Sequence, residues 1–191
     1  DKIMYVCGKY LKEQGRLNGN TVVTTVMSNL GLYKSLEREN MNYEQTAVGD
    51  KYVAENMMEN GYSLGGEQSG HIIFSRYAAT GDGILTSLMV MEACVEKKAT
   101  LCDLAKEMKV YPQLLRNVRV ADKKTARENP KVVEAVEAVA KALGEDGRIL
   151  VRESGTEPLI RVMVEAGTDE ICRENVEQVV RVMEAEGLIV E

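Results

Sequence analysis

Apolar positions recur along this chain with two periods, and the switching between them sketches its layout. Ile3, Val6, Cys7, Tyr10 and Leu11 fall at helical spacing within residues 1–14, and Gly15 stops the pattern. Residues 21–27, TVVTTVM, are short and dense in β-branched side chains, which predicts a buried strand of a parallel sheet. Helical spacing returns over 30–39, residues 43–47 predict a short strand, and 50–59 predict another helix, ended by Gly61. Strand, helix, strand, helix at this pitch predicts an α/β layer with a mostly parallel sheet. In such sheets ligands meet the loops at the carboxyl ends of the strands. Residues 84–97 then predict a helix with Leu85, Leu88, Met91 and Val95 on its apolar positions and Met89 and Met91 as core filler. Thr100 can cap one more short helix over 101–108.

The Tyr111-Pro112 step breaks the pattern, because proline disfavours helix at the residue before it. A domain boundary between Lys109 and Gln113 divides the chain into an α/β domain over residues 1–109 and a small domain over 110–191. In the second, residues 114–120 predict a strand, and Asn129-Pro130 is a strong helix start. That helix carries Val132, Val133, Val136, Val139, Ala140 and Leu143 on one face and ends at Gly144. Two strand patterns, 148–151 and 159–165, flank a loop from Arg152 to Pro158, and Thr168 or Asp169 starts a last helix with Cys172, Val176, Val179, Val180 and Met183 inward. Strand, helix, hairpin, helix predicts a two-layer α+β domain with an antiparallel sheet.

Three loops carry candidate chemistry. The first, Arg152 to Pro158, reads RESGTEP. A guanidinium, the hydroxyls of Ser154 and Thr156, and unhindered amides around Gly155 can converge on one phosphate dianion, with a bidentate grip from arginine and N–H groups on the remaining oxygens. A polar hairpin tip with a solvated arginine is the plainer alternative. The second, Gly65 to His71, has glycines that let backbone approach a ligand. Glu67 and Ser69, two apart, can project to one side if the segment is extended, and a carboxylate beside a hydroxyl suits adjacent sugar hydroxyls. His71 is the only histidine, so no Ser–His or Cys–His pair can be built within the chain. The third, Val48-Gly49-Asp50-Lys51, lies at a strand-to-helix junction where Asp50 could cap the helix and Lys51 could reach an anion. Gly81-Asp82-Gly83 offers one carboxylate, too few for the hard oxygen ligands Mg²⁺ requires, so helix capping by Asp82 is the better reading.

Two of these strings together resemble a known family. RESGTEPLIRVMVE resembles the phosphate-binding loop in the last domain of the α-D-phosphohexomutases, and GEQSGH, at Gly66 to His71, resembles the sugar-binding loop of their third domain. Both occur in the family's order, and the resemblance extends over residues 1–191. It implies that Glu67 and Ser69 hold two ring hydroxyls, with Gly49, Asp50, Lys51 and His71 around the same sugar. It also implies that Arg152, Ser154, Gly155 and Thr156 clamp the phosphate that is not reacting, with Arg161 either adding charge or forming a surface salt bridge. The Gln68 form is nearer to the branch acting on glucosamine phosphates than to those acting on mannose or glucose phosphates, which stay as alternatives. The intact enzyme of this family carries a phosphoserine in its first domain and a Mg²⁺-binding aspartate loop in its second. Neither a T-x-S-H-N-like nor a D-G-D-G-D string occurs in this chain, so the catalytic groups, the metal ligands and the domains that hold them are expected outside it. The 191-residue chain is then expected to be inactive alone, with a phosphosugar as its small-molecule partner. A non-catalytic phosphosugar-binding module is the alternative from another class.

Composition narrows the partners further. With 24 Lys and Arg against 30 Asp and Glu, a net charge of −6 and no basic stripe, the chain predicts no nucleic-acid partner, and any anion must be met locally. Cys7, Cys94, Cys102 and Cys172 form no C-x-x-C pair and sit in helical patterns, which predicts reduced, buried thiols in a cytoplasmic protein. No apolar run approaches the ~20 residues of a membrane span, and no signal peptide is expected. Opening at Asp1, directly in a helical pattern, the chain looks like a piece of something longer.

Overall fold

The computed structural model describes residues 1–190, which form two compact units divided between Val110 and Tyr111. In the first unit, α1 (Lys2–Glu13), β1 (Thr21–Thr25), α2 (Leu30–Arg38), β2 (Asn42–Thr46), α3 (Asp50–Asn60), β3 (Leu64–Gly66), β4 (Ile72–Phe74), α4 (Gly83–Lys97) and α5 (Leu101–Ala105) follow one another. The sheet order is β2-β1-β3-β4, with β1 parallel to both neighbours and β4 antiparallel to β3. Central β1 is buried along its whole length, whereas edge strand β2 is half-buried to exposed, which explains their different compositions.

Alternate residues of the sheet feed two cores. Val22, Leu64, Ile72 and Phe74 pack with Met4, Cys7 and Leu11 of α1 and Met89 and Ala93 of α4. Val23 and Ile73 pack on the other side with Val53 and Met57 of α3. The result is a three-layer α/β/α arrangement with a mostly parallel sheet, as the pattern predicts. Gly65 is a packing requirement: a Cβ there would meet Met57 Sδ at 2.5 Å and Val53 Cγ1 at 2.8 Å, so only glycine lets α3 lie this close. Strands β3 and β4 were not predicted, because each is only three residues long and the glycines of β3 carry no apolar signal. On α4 the structure corrects the expected face. Met89 and Ala93 point inward, while Leu88, Met91 and Val95 are exposed together with Ile84.

The second unit contains β5 (Gln113–Arg119), α6 (Lys123–Glu128), α7 (Pro130–Leu143), β6 (Arg148–Glu153), β7 (Leu159–Glu165) and α8 (Asp169–Ala185). Its sheet is antiparallel, order β5-β7-β6. Ile160, Val162 and Val164 of the central strand pack against Val132, Ala135 and Val139 of α7 and Cys172, Val176, Val179 and Met183 of α8. Asn129 caps α7, accepting from Lys131 N at 2.9 Å and Val132 N at 3.3 Å, with Pro130 at the first helical turn as predicted. The apolar face of α7 is rotated from expectation: Val133 and Ala140 are exposed, and Ala135 takes the inward position. Helix α6 has no apolar period to announce it; Asp122 starts it by accepting from Thr125 N at 2.6 Å.

The cysteines divide. Cys7 and Cys172 are buried, and burial pushes the Cys7 thiol up to about 12. Cys94 is half-buried and Cys102 is exposed, so the expectation of burial fails for Cys102, whose short helix α5 turns it outward. No described helix is long and apolar enough to cross a membrane.

Candidate functional site

At the carboxyl end of the first unit's sheet, two loops are tied by a carboxylate. Gly49, with φ of +135°, occupies the N-cap position of α3, and its carbonyl accepts from Tyr52 N at 3.0 Å. Its own N–H donates to Glu67 Oε1 at 2.9 Å. Strand β1 lies between β2 and β3, so this bond spans the strand end where a ligand would sit, and the second carboxylate oxygen of Glu67 is left to accept from one. Asp50 does not cap the helix. It stands in the first turn, where its carboxylate accepts from Lys51 N at 2.9 Å, because glycine has taken the cap position. Lys51 is exposed, with its ammonium 3.7 Å from Glu55.

Beyond Gly66 the chain turns at once. Gly70 N donates to the Glu67 carbonyl at 3.0 Å and Glu67 N to the His71 carbonyl at 2.9 Å, a tight turn that Gly70 closes with φ of +105°. The segment is therefore not extended, as projection of Glu67 and Ser69 to one side required. Instead Ser69 Oγ lies 3.5 Å from His71 Nδ1, and both residues are exposed on the turn. The structure thus joins Gly49 to Glu67 and Ser69 to His71. Asp50 and Lys51 share the neighbouring helix start.

In the second unit, Arg152 belongs to β6 and not to the loop. It lies directly opposite Arg161 of β7, which in turn lies opposite Asn117 of β5. These three positions form a row on the sheet face opposite Ile160 and Val162. Like charges facing across a strand pair repel. Burial and the Arg161 charge both pull the Arg152 guanidinium below its ordinary pKa. The buried Nε atoms of Arg152 and Arg161 have no hydrogen-bond partner. Arg161 reaches Glu157 at 3.3 Å, but among the described residues Arg152 has no carboxylate partner.

The loop proper runs from 154 to 158. Ser154 is buried: its N–H donates to the Leu159 carbonyl at 2.9 Å, and its hydroxyl oxygen accepts from Glu157 N at 3.3 Å. Lys123 Nζ donates to the Ser154 carbonyl at 2.8 Å, which places a third cation at the loop. Gly155 and Thr156 are exposed, and their amides take no protein partner among the described residues. A Cβ at Gly155 would meet nothing within 4 Å, and its φ is not positive, so neither packing nor conformation demands glycine there.

Lys123 and Asn117 escaped the sequence reading. Lys123 rides on a helix with no apolar period, and Asn117 is brought beside Arg161 only by strand register. For a divalent cation the described residues fit poorly, since no three His, Cys, Asp or Glu side chains cluster. Asp82 is occupied as the cap of α4, accepting from Leu85 N at 2.9 Å.

Comparison with known proteins agrees with this division of the chain. Residues 1–111 match the family model described as phosphoglucomutase/phosphomannomutase, alpha/beta/alpha domain III, and residues 115–186 match the C-terminal domain of the same family. The chain is 60% identical over 189 residues to a phosphoglucosamine mutase of Lachnoclostridium phytofermentans, covering 99% of this chain and 42% of that protein. It is 59% identical over 190 residues to a phosphoglucosamine mutase of Lachnospira eligens, again with 42% of the relative covered. The chain therefore spans less than half the length of these relatives. Among solved structures, Aspergillus fumigatus N-acetylphosphoglucosamine mutase in complex with GlcNAc-6P and magnesium superposes with a TM-score of 0.79 at 20% identity, covering 96% of this chain and 46% of that one. A likeness at that identity speaks to fold. With both family models matched across the two units, the chain belongs to the phosphoglucomutase/phosphomannomutase family.

Proposed function

We propose that this chain supplies the sugar-recognising and phosphate-holding part of a phosphohexomutase that interconverts glucosamine 6-phosphate and glucosamine 1-phosphate. The observation that carries the reading is the pairing of Arg152 with Arg161 across adjacent strands, beside a loop whose Gly155 and Thr156 amides are unused. Two facing guanidiniums, one without a counter-ion, form an arrangement that a dianion relieves. The name shared by the Lachnoclostridium and Lachnospira relatives supports the choice of sugar.

Phosphoryl transfer depends mainly on positioning and charge stabilisation. In this reading Arg152 and Arg161 neutralise the phosphate that is not reacting, the amides of Gly155 and Thr156 and the Thr156 hydroxyl donate to its oxygens, and Ser154 holds the loop in shape. In the other unit, Glu67 fixes ring hydroxyls through the oxygen not used by Gly49, with Ser69 and His71 on the adjoining turn and Asp50 and Lys51 at the helix start. The phosphoserine donor, the divalent cation and their ligands lie outside this chain, whose residues bind and orient. The bisphosphate intermediate turns round within the intact enzyme, so that the same loops meet either end of the hexose.

Calorimetric titration of the chain with glucosamine 6-phosphate, glucose 6-phosphate, mannose 6-phosphate and inorganic phosphate tests this directly. Binding that favours the amino sugar and disappears in Arg152→Ala is the expected result. Binding unaffected by that substitution would remove the arginine pair from the site, and equal binding of all three sugars would leave the hexose unassigned to this chain. The chain alone is expected to give no glucosamine 1-phosphate from glucosamine 6-phosphate; product from a preparation free of other mutases would show that the transfer groups are within it.

A further inference from the structure

Ser154 is 1% exposed, and its backbone groups and hydroxyl oxygen are all tied to the protein. Its N–H donates to the Leu159 carbonyl, its hydroxyl oxygen accepts from Glu157 N, and its carbonyl accepts from Lys123 Nζ at 2.8 Å. The last of these bonds fixes more than Ser154. In a trans peptide the carbonyl and the following N–H point in opposite directions, and no cis bond occurs among the described residues. With the Ser154 carbonyl turned to Lys123, the N–H of Gly155 points the other way, where it meets no protein acceptor among the described residues. Glycine does little to hold that orientation. Rotating the peptide by half a turn changes ψ of Ser154 and φ of Gly155, and glycine accepts either sign of φ. A Cβ at Gly155 would meet nothing within 4 Å, so its surroundings do not oppose the rotation. The rotated peptide would offer a carbonyl oxygen where the N–H had been, and that oxygen repels an anion.

Lys123 is placed to resist the rotation, because α6 is pinned to both arms of the hairpin. Just before the helix, Val120 donates its N–H to the Pro158 carbonyl at 3.1 Å. Within it, Arg127 pairs at 3.1 Å with Glu153, the last residue of β6, and Ala126 is fully buried in the core of the unit. The lysine stem therefore starts from a fixed base. A hydrogen bond from an ammonium is about twice as strong as a neutral one, and the carbonyl of a buried residue needs a partner. We propose that Lys123 is a positioning residue of the phosphate loop: its ammonium holds the Ser154–Gly155 peptide in the orientation that offers the Gly155 N–H to a phosphate oxygen. The proposal rests on the reading of this loop as a phosphate site. In this role Lys123 acts through the peptide and not by contact with the anion.

The test compares the chain with Lys123→Met, which keeps the apolar stem and removes the donor, and with Lys123→Arg, which keeps a cationic donor. Two quantities are read. In the free chain, the three-bond couplings between the Gly155 amide proton and its two α protons, measured by NMR, follow φ of Gly155 and not the charge nearby. Calorimetric titration with inorganic phosphate and with glucosamine 6-phosphate then gives the affinities. The expected result is that Lys123→Met changes the Gly155 couplings and weakens both ligands roughly tenfold or more, as for loss of one hydrogen bond to a charged group, and that Lys123→Arg restores both quantities. Couplings unchanged in Lys123→Met would overturn the proposal, and a loss of affinity alongside them would assign Lys123 an effect of charge alone. Changed couplings with unchanged affinity would overturn it as well, since the peptide would then not serve the ligand. Absence of binding by the unsubstituted chain would sink this role together with the phosphate reading beneath it, and that failure stands apart from the others because the couplings are read without ligand.

Discussion

Arg152 shows how a residue can be placed against its own electrostatic interest. It faces Arg161 across a strand pair, with burial and that charge both lowering its pKa. Removing it should therefore cost the fold little. Arg152→Ala is expected to leave stability to urea unchanged or to raise it by up to about 1 kcal/mol, by relief of the like-charge pair, while abolishing phosphate binding. Arg152→Lys should rescue binding only in part, since an ammonium cannot reproduce the bidentate fork. Glu67 offers the complementary case. Glu67→Gln keeps an oxygen for Gly49 N–H but loses the charge that accepts strongly from sugar hydroxyls. It is expected to weaken sugar phosphates towards the affinity of inorganic phosphate and to leave inorganic phosphate itself unchanged, both readable by titration. The residue types at these positions were legible in the sequence. Their contacts were not: Arg152 reads as a loop residue, and only register with Arg161 shows it to be a strand residue.

Among the elements, the short connections carry the tightest constraints. A Cβ at Gly31, in the first turn of α2, would lie 1.7 Å from the Lys109 carbonyl oxygen, which is backbone and cannot swing aside. Gly31→Ala is expected to cost roughly 3 kcal/mol, the upper range for overpacking, measured by chemical denaturation. At the other end of α2, Glu39 accepts from Lys9 Nζ at 2.7 Å and Tyr5 OH at 3.0 Å, fastening the helix to α1. The Lys9 hydrogen bond, opposed by burial, holds this carboxyl below the usual carboxylate value. A lowered folded-state pKa contributes stability above the unfolded-state value of about 4.3, and that contribution is lost as pH falls through the folded-state value. Glu39→Gln should thus lower stability at pH 7 by up to about 1 kcal/mol for this part-exposed pair, and should flatten the acid loss of Tm below about pH 4.5. Long amphipathic elements such as α1 and α8 were plain in the sequence, because one buried stripe fixes the period. The strands β3 and β4 and helix α6 were not, because three residues carry no period and a polar helix has none.

At the scale of the molecule, the chemistry is divided between a unit that presents a carboxylate and hydroxyls and a unit that presents cations and open amides. No described cluster of His, Cys, Asp or Glu can hold a metal, so chelation by EDTA is expected to leave Tm unchanged. Phosphate should raise it, because a ligand that binds only the folded state adds about 2.7 kcal/mol at a hundred times its Kd. Calorimetric scans with and without each additive check both. The sequence by itself determined the class of each unit, the helix caps at Asn129 and Asp82, and the two motifs that place the chain in its family, because caps and motif residues act through neighbours along the chain. Tertiary structure alone decided the facing arginines, the Glu67 bridge to Gly49, the approach of Lys123 to Ser154, and the side of α4 left bare. Each of these depends on strand register or on which helix face meets the sheet, and such pairings join residues that are distant in sequence.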